Sequence, residues 1–202
     1  LKLQLIEDAE GNLSLEFEPG QYIELWIPDT DVKRAYSLAN APNWDGLLEL
    51  LIKLRSHGQF ARYITEQAHV GDVLSLQGAN GSFTLQDRGL CPRYFIAGGC
   101  GLASVMSMLR QMAEWQEPHE VHLLFGVWRE DEVFYQSEIA DLAADYPNLH
   151  YQMCIQEASP TWQGFQGSVV EAFKVLMQST QTTADIYICG SNRLVEGVLQ
   201  VA

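Results

Sequence analysis

The spacing of apolar residues changes once along this chain, near residues 87–92, and that change restricts what it can fold into. Before it, short alternating runs at 13–17, 22–27, 48–54 and 73–77 are separated by turn residues. The turns are Glu10-Gly11-Asn12, Pro19-Gly20, Pro28-Asp29, Asp45-Gly46, His57-Gly58, Gly71-Asp72, Gly78 and Gly81. Many short strands with turns at this spacing predict a small antiparallel barrel or sandwich. One helix interrupts them at 60–67, with Phe60, Tyr63 and Ile64 at helical spacing. After the change, strands at 93–97, 121–127, 149–155 and 186–189 alternate with helices at 103–114, 136–145, 168–177 and from about 193. The helix at 103–114 gathers Val105, Met108, Leu109 and Met112 on one face, and Ser168 with Glu171 fits a capping box. Strand–helix alternation predicts a parallel, doubly wound sheet. The expected organisation is therefore two domains: an antiparallel β-barrel over 1–90 and an α/β doubly wound parallel sheet over 91–202.

Composition narrows the partners. With 202 residues, 47% of them hydrophobic, the chain can fill a core in each half. Its net charge of −14 argues against nucleic acid and against an anionic membrane surface, both of which select clustered Lys and Arg. A basic protein partner is compatible with that charge, and so is a merely solvated acidic surface. No run approaches the roughly 18 apolar residues of a membrane span. Cys91, Cys100, Cys154 and Cys189 have neither metal-site nor iron–sulfur spacing, and His57, His69, His119, His122 and His150 are scattered, so no metal site is expected. A reducing, cytoplasmic compartment is the simpler expectation for so few cysteines. The start at Leu1 has strand-like alternation and no signal-peptide run, and the end at 198–202 looks like a helix cut short; a fragment is expected.

Two segments carry candidate chemistry. Arg34-Ala35-Tyr36-Ser37 offers a cation, an aromatic face and a hydroxyl within four residues. On a strand, Arg34 and Tyr36 share a face. A guanidinium there can bridge diphosphate oxygens, and the ring can stack on a flavin plane. An exposed Arg, a half-buried Tyr and a turn-like Ser would look the same, and from these four residues alone that plainer reading stands ahead. Gly98-Gly99-Cys100-Gly101-Leu102-Ala103-Ser104 follows an apolar strand and opens a helix, the setting of a dinucleotide loop, although the pattern is not G-x-G-x-x-G. Three weaker segments accompany them. Ile52-Lys53-Leu54 precedes Gly58-Gln59-Phe60-Ala61, a glycine turn opening a helix whose free amides suit an anion, or simply a strand-to-helix connection. Gly78-Ala79-Asn80-Gly81-Ser82-Phe83 allows close backbone approach or a hairpin. Cys189-Gly190-Ser191 ends the last strand, where open α/β sheets bind ligands and where a core cysteine is also common.

Taken in order, these segments resemble the ferredoxin–NADP reductase superfamily over nearly the whole chain. Arg34-Ala35-Tyr36-Ser37 is similar to its R-x-Y-S flavin motif, 78–83 to G-P-x-G-x-F, 98–104 to G-G-T-G-x-A-P, and 189–191 to C-G-P. Within the superfamily the chain is most similar to the reductase components of bacterial oxygenases. Methane monooxygenase reductases in particular are resembled at 17–22, 34–39, 106–112 and 124–127.

The resemblance implies FAD and NADH as cofactors. Arg34 would hold the flavin diphosphate, Tyr36 would stack on the flavin, and Ser37 would approach its reactive nitrogen. Ile52, Lys53 and Leu54 would flank the flavin phosphates, together with amides of Gly58, Gln59, Phe60 and Ala61. Gly98, Gly99, Cys100, Gly101 and Leu102 would cradle the nicotinamide diphosphate, with Cys189 and Gly190 against the nicotinamide ring. Ser37 and Cys189 are the two residues expected in catalytic roles. Electrons would pass from NADH through FAD to an iron–sulfur centre and on to an oxygenase component. Since the chain holds no four-cysteine cluster, a [2Fe–2S] centre is expected only on an absent domain, a ferredoxin or another partner. A free-standing flavin or ferredoxin reductase and a non-catalytic flavin-binding interaction module remain the alternatives. The chain departs from the family pattern at Ala61, Ala79, Cys100, Ser104 and Ser191, and Ala61 removes a hydroxyl for phosphate. NADH is expected over NADPH, because Arg129 is followed by Glu130, Asp131 and Glu132 and would be neutralised by Glu130 or Glu132.

Overall fold

A computed structural model describes residues 1–6, 11, 15–54, 58–178 and 183–202. The expected turn residues Glu10 and Asn12, the first two residues of the run 13–17, and His57 lie outside the described residues.

The first part of the chain is antiparallel. β2 (Tyr22–Trp26) lies between β3 (Lys33–Ser37) and β5 (Leu76–Asn80), and β1 (Lys2–Gln4) pairs with β4 (Leu47–Glu49). Among the described residues a bridge between Leu38 and Leu50, with the Ala39 amide donating to the Glu49 carbonyl at 2.8 Å, joins the two sheets. Both sheets close over one core of Ile23, Leu25, Leu38, Leu48 and Leu50, capped by Phe60 and Tyr63 of α1 (Gln59–Glu66). Among the described residues the pairings form two sheets around a shared core, not a continuous ring.

Two strand limits differ from expectation. The strand expected at 48–54 ends early: Leu51 leaves the sheet to pack into the core of the second part, and Lys53 reaches Glu132. The strand expected at 73–77 lies later, and it includes Gly78, which was expected in a turn. The register of β5 on β2 shifts between Tyr22 and Glu24, the irregularity that a strand glycine commonly marks.

The second part is a five-stranded parallel sheet in the order β10-β6-β7-β8-β9. Its strands are β6 (Arg93–Gly98), β7 (Val121–Arg129), β8 (Leu149–Glu157), β9 (Phe165–Gln166) and β10 (Asp185–Cys189). β9, only two residues long, was not anticipated. Its helices are α2 (Leu102–Glu114), α3 (Gln136–Asp145), α4 (Val169–Gln178) and α5 (Asn192–Leu199). Alternation along β6 sends Phe95 and Ala97 towards α2 and α3, and Tyr94 and Ile96 towards α4 and α5. Helices thus cover both faces, as doubly wound sheets require. The capping box forms: the Ser168 hydroxyl accepts the Glu171 amide at 3.2 Å, and the Glu171 carboxylate accepts the Ser168 amide at 2.7 Å. Among the described residues no helix is long and apolar enough to cross a membrane.

The strand order fixes where a ligand crevice must be. From β6 the chain moves outward through β7, β8 and β9, then returns to place β10 on the other side of β6. Loops leaving the C-terminal ends of β6 and β10 therefore diverge, and such a switch point opens a cleft. Those loops begin at Gly98 and Gly190.

Candidate functional site

At the switch point the two loops touch backbone to backbone. A Cβ on Gly101 would lie 2.2 Å from the carbonyl oxygen of Cys189, and one on Gly190 would lie 3.3 Å from the amide nitrogen of Gly98. Gly101 is thus required by packing against the β10 loop, whereas a Cβ on Gly98 would meet the tip of the Leu194 side chain at 2.6 Å. Gly99 is different: its φ is +53°, and a Cβ there would meet nothing within 4 Å. It faces open space, where a ligand can approach the backbone. Gly99–Gly101 form a short 3-10 turn that runs directly into α2. Amides at such a helix start carry partial positive charge and suit a diphosphate. Ser104, in the place of the family's proline, is buried and donates its hydroxyl to the Gly101 carbonyl at 3.1 Å. Ser191, likewise replacing a proline, caps α5 by accepting the Leu194 amide at 3.3 Å. Cys100 and Cys189 are both half-buried free thiols.

β3 supplies the second constellation. The register places Arg34 opposite Leu25 and Tyr36 opposite Ile23, so the two side chains do share a face. Tyr36 is half-buried against Phe60, with ring centroids 5.0 Å apart. Burial pushes its phenol above the ordinary value, Arg34 opposes that rise and Cys100 adds to it. The charges of Arg34, two residues away on the same strand, and of Cys100, in the glycine loop, are thus both felt at the Tyr36 hydroxyl.

A test of fit for a flavin diphosphate rests on what is left available nearby. Lys33 is paired with Glu24 at 2.8 Å and sits over the Trp26 ring. Arg34 is exposed, and its one hydrogen bond among the described residues is to the Lys33 carbonyl at 2.7 Å. α1 has no side-chain cap and no acidic residue in its first turn. Its first bond runs from the Arg62 amide to the Gly58 carbonyl at 2.9 Å, so the amides of Gln59, Phe60 and Ala61 precede the helical ladder. An exposed guanidinium, helix-start amides that no described residue outside the helix is seen to occupy, and a half-buried ring suit a flavin dinucleotide.

Sequence comparison adds two matches in chain order. Residues 3–85 match the model of the oxidoreductase FAD-binding domain, and residues 95–200, more than half of the chain, match that of the oxidoreductase NAD-binding domain. The chain belongs to the flavin- and nicotinamide-nucleotide-binding oxidoreductases. Its two-part architecture is that of ferredoxin–NADP reductases. This oxidoreductase is 39% identical over 184 residues to the anthranilate 1,2-dioxygenase electron transfer component of Acinetobacter baylyi, covering 91% of the chain and 53% of that protein. It is also 39% identical over 155 residues to methane monooxygenase component C of Methylosinus trichosporium, covering 77% of the chain and 45% of that protein. The chain thus spans about half the length of the curated relatives it matches. Among solved structures, the Amycolatopsis cytochrome P450 reductase GcoB is similar with a TM-score of 0.84 and 26% identity, over 93% of this chain and 57% of that one.

One expected site residue, Lys53, and the cation Arg129 have partners that the sequence did not reveal. Lys53, expected beside the flavin phosphates, forms an ion pair with Glu132 of the second part at 3.1 Å; that contact holds Glu132 below the usual carboxylate range. Ile52 packs against the first core, and Leu54 is exposed. Arg129 is neutralised, but not by Glu130 or Glu132 as expected. Asp131 takes it in a two-point contact at 3.0 and 3.1 Å, raising the guanidinium and lowering the carboxyl. Glu130 instead accepts the Ser159 amide, and Glu132 accepts the amides of Trp128 and Arg129 in addition to its bond with Lys53. Side-chain and backbone geometry of a 3-10 turn over Glu130–Glu132 decides this, and charge counting along the sequence cannot.

Three residues escaped the sequence reading altogether. Asn40, Ser107 and Arg110 join the two parts of this oxidoreductase. The available signal was α2 itself: an amphipathic helix predicts one buried face, yet Ser104 and Ser107 are also buried. A helix buried on nearly all sides lies between two layers.

Proposed function

We propose that this chain is the FAD- and NADH-binding part of an oxygenase reductase, divided near residue 90 into a flavin domain over 1–90 and a nicotinamide-nucleotide domain over 91–202. The observation that carries the reading is that α2, which begins at the glycine loop of the β6/β10 switch point, is hydrogen-bonded through Ser107 and Arg110 to Asn40 and Ala39, just beyond the R-x-Y-S strand. Bound FAD would accept a hydride from NADH and release electrons singly to an iron–sulfur centre on another domain or protein, which would feed the oxygenase. Arg34 and the amides of Gly58, Gln59, Phe60 and Ala61 hold the flavin diphosphate, with Ile52, Lys53 and Leu54 along its flank. Tyr36 supports the ring system, and Ser37 presents its hydroxyl and amide to the reacting edge. Gly98, Gly99, Cys100, Gly101 and Leu102 receive the nicotinamide diphosphate. Cys189 and Gly190, at the C-terminal edge of β10, support the nicotinamide ring. The chemistry asks for positioning more than for a strong base, and these residues are suited to that. The four free cysteines favour a reducing, cytoplasmic setting. Names of the relatives, an anthranilate dioxygenase electron transfer component and a methane monooxygenase component, favour an oxygenase as the downstream partner.

The test is to load the chain with FAD and add NADH without oxygen. Bleaching of the flavin absorbance is expected. A yellow protein indifferent to NADH would leave a flavin-binding module and overturn the reading.

Two further outcomes follow. Cys189→Ala is expected to fold and keep FAD but to slow flavin reduction on the order of tenfold, about 1.4 kcal/mol of barrier. Stopped-flow bleaching measures it, and an unchanged rate returns Cys189 to a packing role. NADH is expected to give a higher kcat/KM than NADPH. With the Asp131 carboxylate on its Nε and Nη2, Arg129 is neutralised on one edge and offers little net charge to an adenosine 2′-phosphate. Asp131→Asn should therefore narrow the gap between the two cofactors. Steady-state kinetics with both would contradict the assignment if wild type already prefers NADPH.

A further inference from the structure

Several ties between the two parts meet on the segment that follows Ser37, while others join Gln86 to Tyr187 and Arg93. Ser107 of α2 is fully buried and donates its hydroxyl to the Asn40 carbonyl at 2.7 Å. Arg110, one turn further along α2, donates to the Ala39 carbonyl at 2.8 Å and to the Glu49 carboxylate at 3.2 Å, and its guanidinium lies over the Tyr135 ring. The receiving segment is itself fixed. The Asn40 side chain donates to the carbonyls of Ala41 and Leu47 at 2.9 and 3.0 Å and accepts the Glu49 amide at 2.8 Å. Beside it, Met108 of α2 lies so close to Gly20 that a Cβ there would come within 2.4 Å of its methyl carbon. The same helix that begins at the nicotinamide loop is thus bonded to the segment that ends the R-x-Y-S strand. The further charged ties across the junction, Lys53 with Glu132 and Arg88 with Asp185, each have a mostly exposed cation and are correspondingly weak.

We propose that Arg110, with Ser107, is a positioning clamp that sets the separation between the flavin site on β3 and the nicotinamide site at the start of α2. The inference rests on the function proposed above. Neither side chain needs to touch a reacting atom. Both act through the backbone carbonyls of Ala39 and Asn40, two and three residues beyond Ser37. Hydride transfer depends steeply on donor–acceptor distance, so loosening this junction should change the chemical step more than binding.

The test compares FAD-loaded wild type with Arg110→Met, Arg110→Lys and Ser107→Ala. In Arg110→Met, flavin reduction at saturating NADH is expected to fall about 10- to 100-fold, with FAD retained and NADH affinity little changed. Arg110→Lys, which keeps a charged donor, should recover most of the rate, and Ser107→Ala should show a smaller fall. A second readout needs no NADH: amide hydrogen exchange at 37–41 and 102–110 should rise in Arg110→Met, while amides of β7 and β8 stay protected. Unchanged exchange together with an unchanged rate overturns the clamp. So does a rate loss that tracks loss of NADH affinity and is not rescued by Lys. If wild type is itself not reduced by NADH, the proposed function fails, and the exchange experiment still reports whether the clamp holds the junction.

Discussion

Gly101→Ala is expected to destabilise the nicotinamide-nucleotide part and to weaken NADH binding roughly 5- to 150-fold by parting two strands, whereas Gly99→Ala two residues earlier should leave the strands in place and act on NADH only through its own backbone strain and added methyl. The new methyl of Gly101→Ala would sit 2.2 Å from the Cys189 carbonyl oxygen, 2.5 Å from its carbon and 3.0 Å from the Gly190 nitrogen. All three are backbone atoms, which cannot swing aside as a side-chain tip can. Relief requires β6 and β10, paired in register from Arg93 with Asp185 to Ala97 with Cys189, to separate at their C-terminal ends. Overpacking of this kind costs about 1–3 kcal/mol, or roughly 2–12 °C in Tm for a chain of this size. The separation happens where the cofactor must bind, so affinity falls with stability. Gly99 has an open surrounding and only its positive φ to defend, at about 1–2 kcal/mol. Thermal unfolding and NADH titration of both variants test the contrast. A Gly101→Ala protein that melts and binds as wild type does would show that the loops do not touch as described.

Much of this architecture is legible in the amino-acid order because it depends on local pattern. Ser168 with Glu171 three residues later can only be read as a helix start, and the α3 limits at Gln136 and Asp145 follow from apolar spacing. The glycine loop is legible for the same reason: strand, glycines and helix are consecutive. What escaped involves partners far apart in sequence. Nothing near Leu51 announces that it leaves β4 for a core built from the second part, or that Lys53 meets Glu132, 79 residues away. Ser107 and Asn40 are separated by 67 residues, and a buried serine on an apolar helix looks from sequence like a solvent-facing one. Arg129 shows the limit at short range: three carboxylates follow it, and only the turn decides that Asp131 is the one it grips.

Arg34→Ala is expected to release FAD while leaving the fold intact. Among the described residues, Lys33, Arg34 and Lys53 are cations in or beside the segments expected at the diphosphate, and the structure separates these three. Lys33 is held by Glu24 and Trp26, and Lys53 by Glu132. Arg34 alone among these has no carboxylate partner among the described residues, and its planar fork can bridge two phosphate oxygens at once. A charge-assisted contact of this kind contributes about 1.5–3 kcal/mol, which is roughly a 10- to 150-fold loss of flavin affinity. The side chain is exposed, so its removal leaves no cavity, and the apoprotein should melt close to wild type. Arg34→Lys should fall between, since an ammonium keeps the charge but not the two-point geometry. Flavin retained after gel filtration at micromolar protein, with a titration of FAD into the apoprotein, gives both numbers. Full retention by Arg34→Ala would move the diphosphate off β3 and leave the amides at the start of α1 as its main support, which Gly58→Pro would then probe.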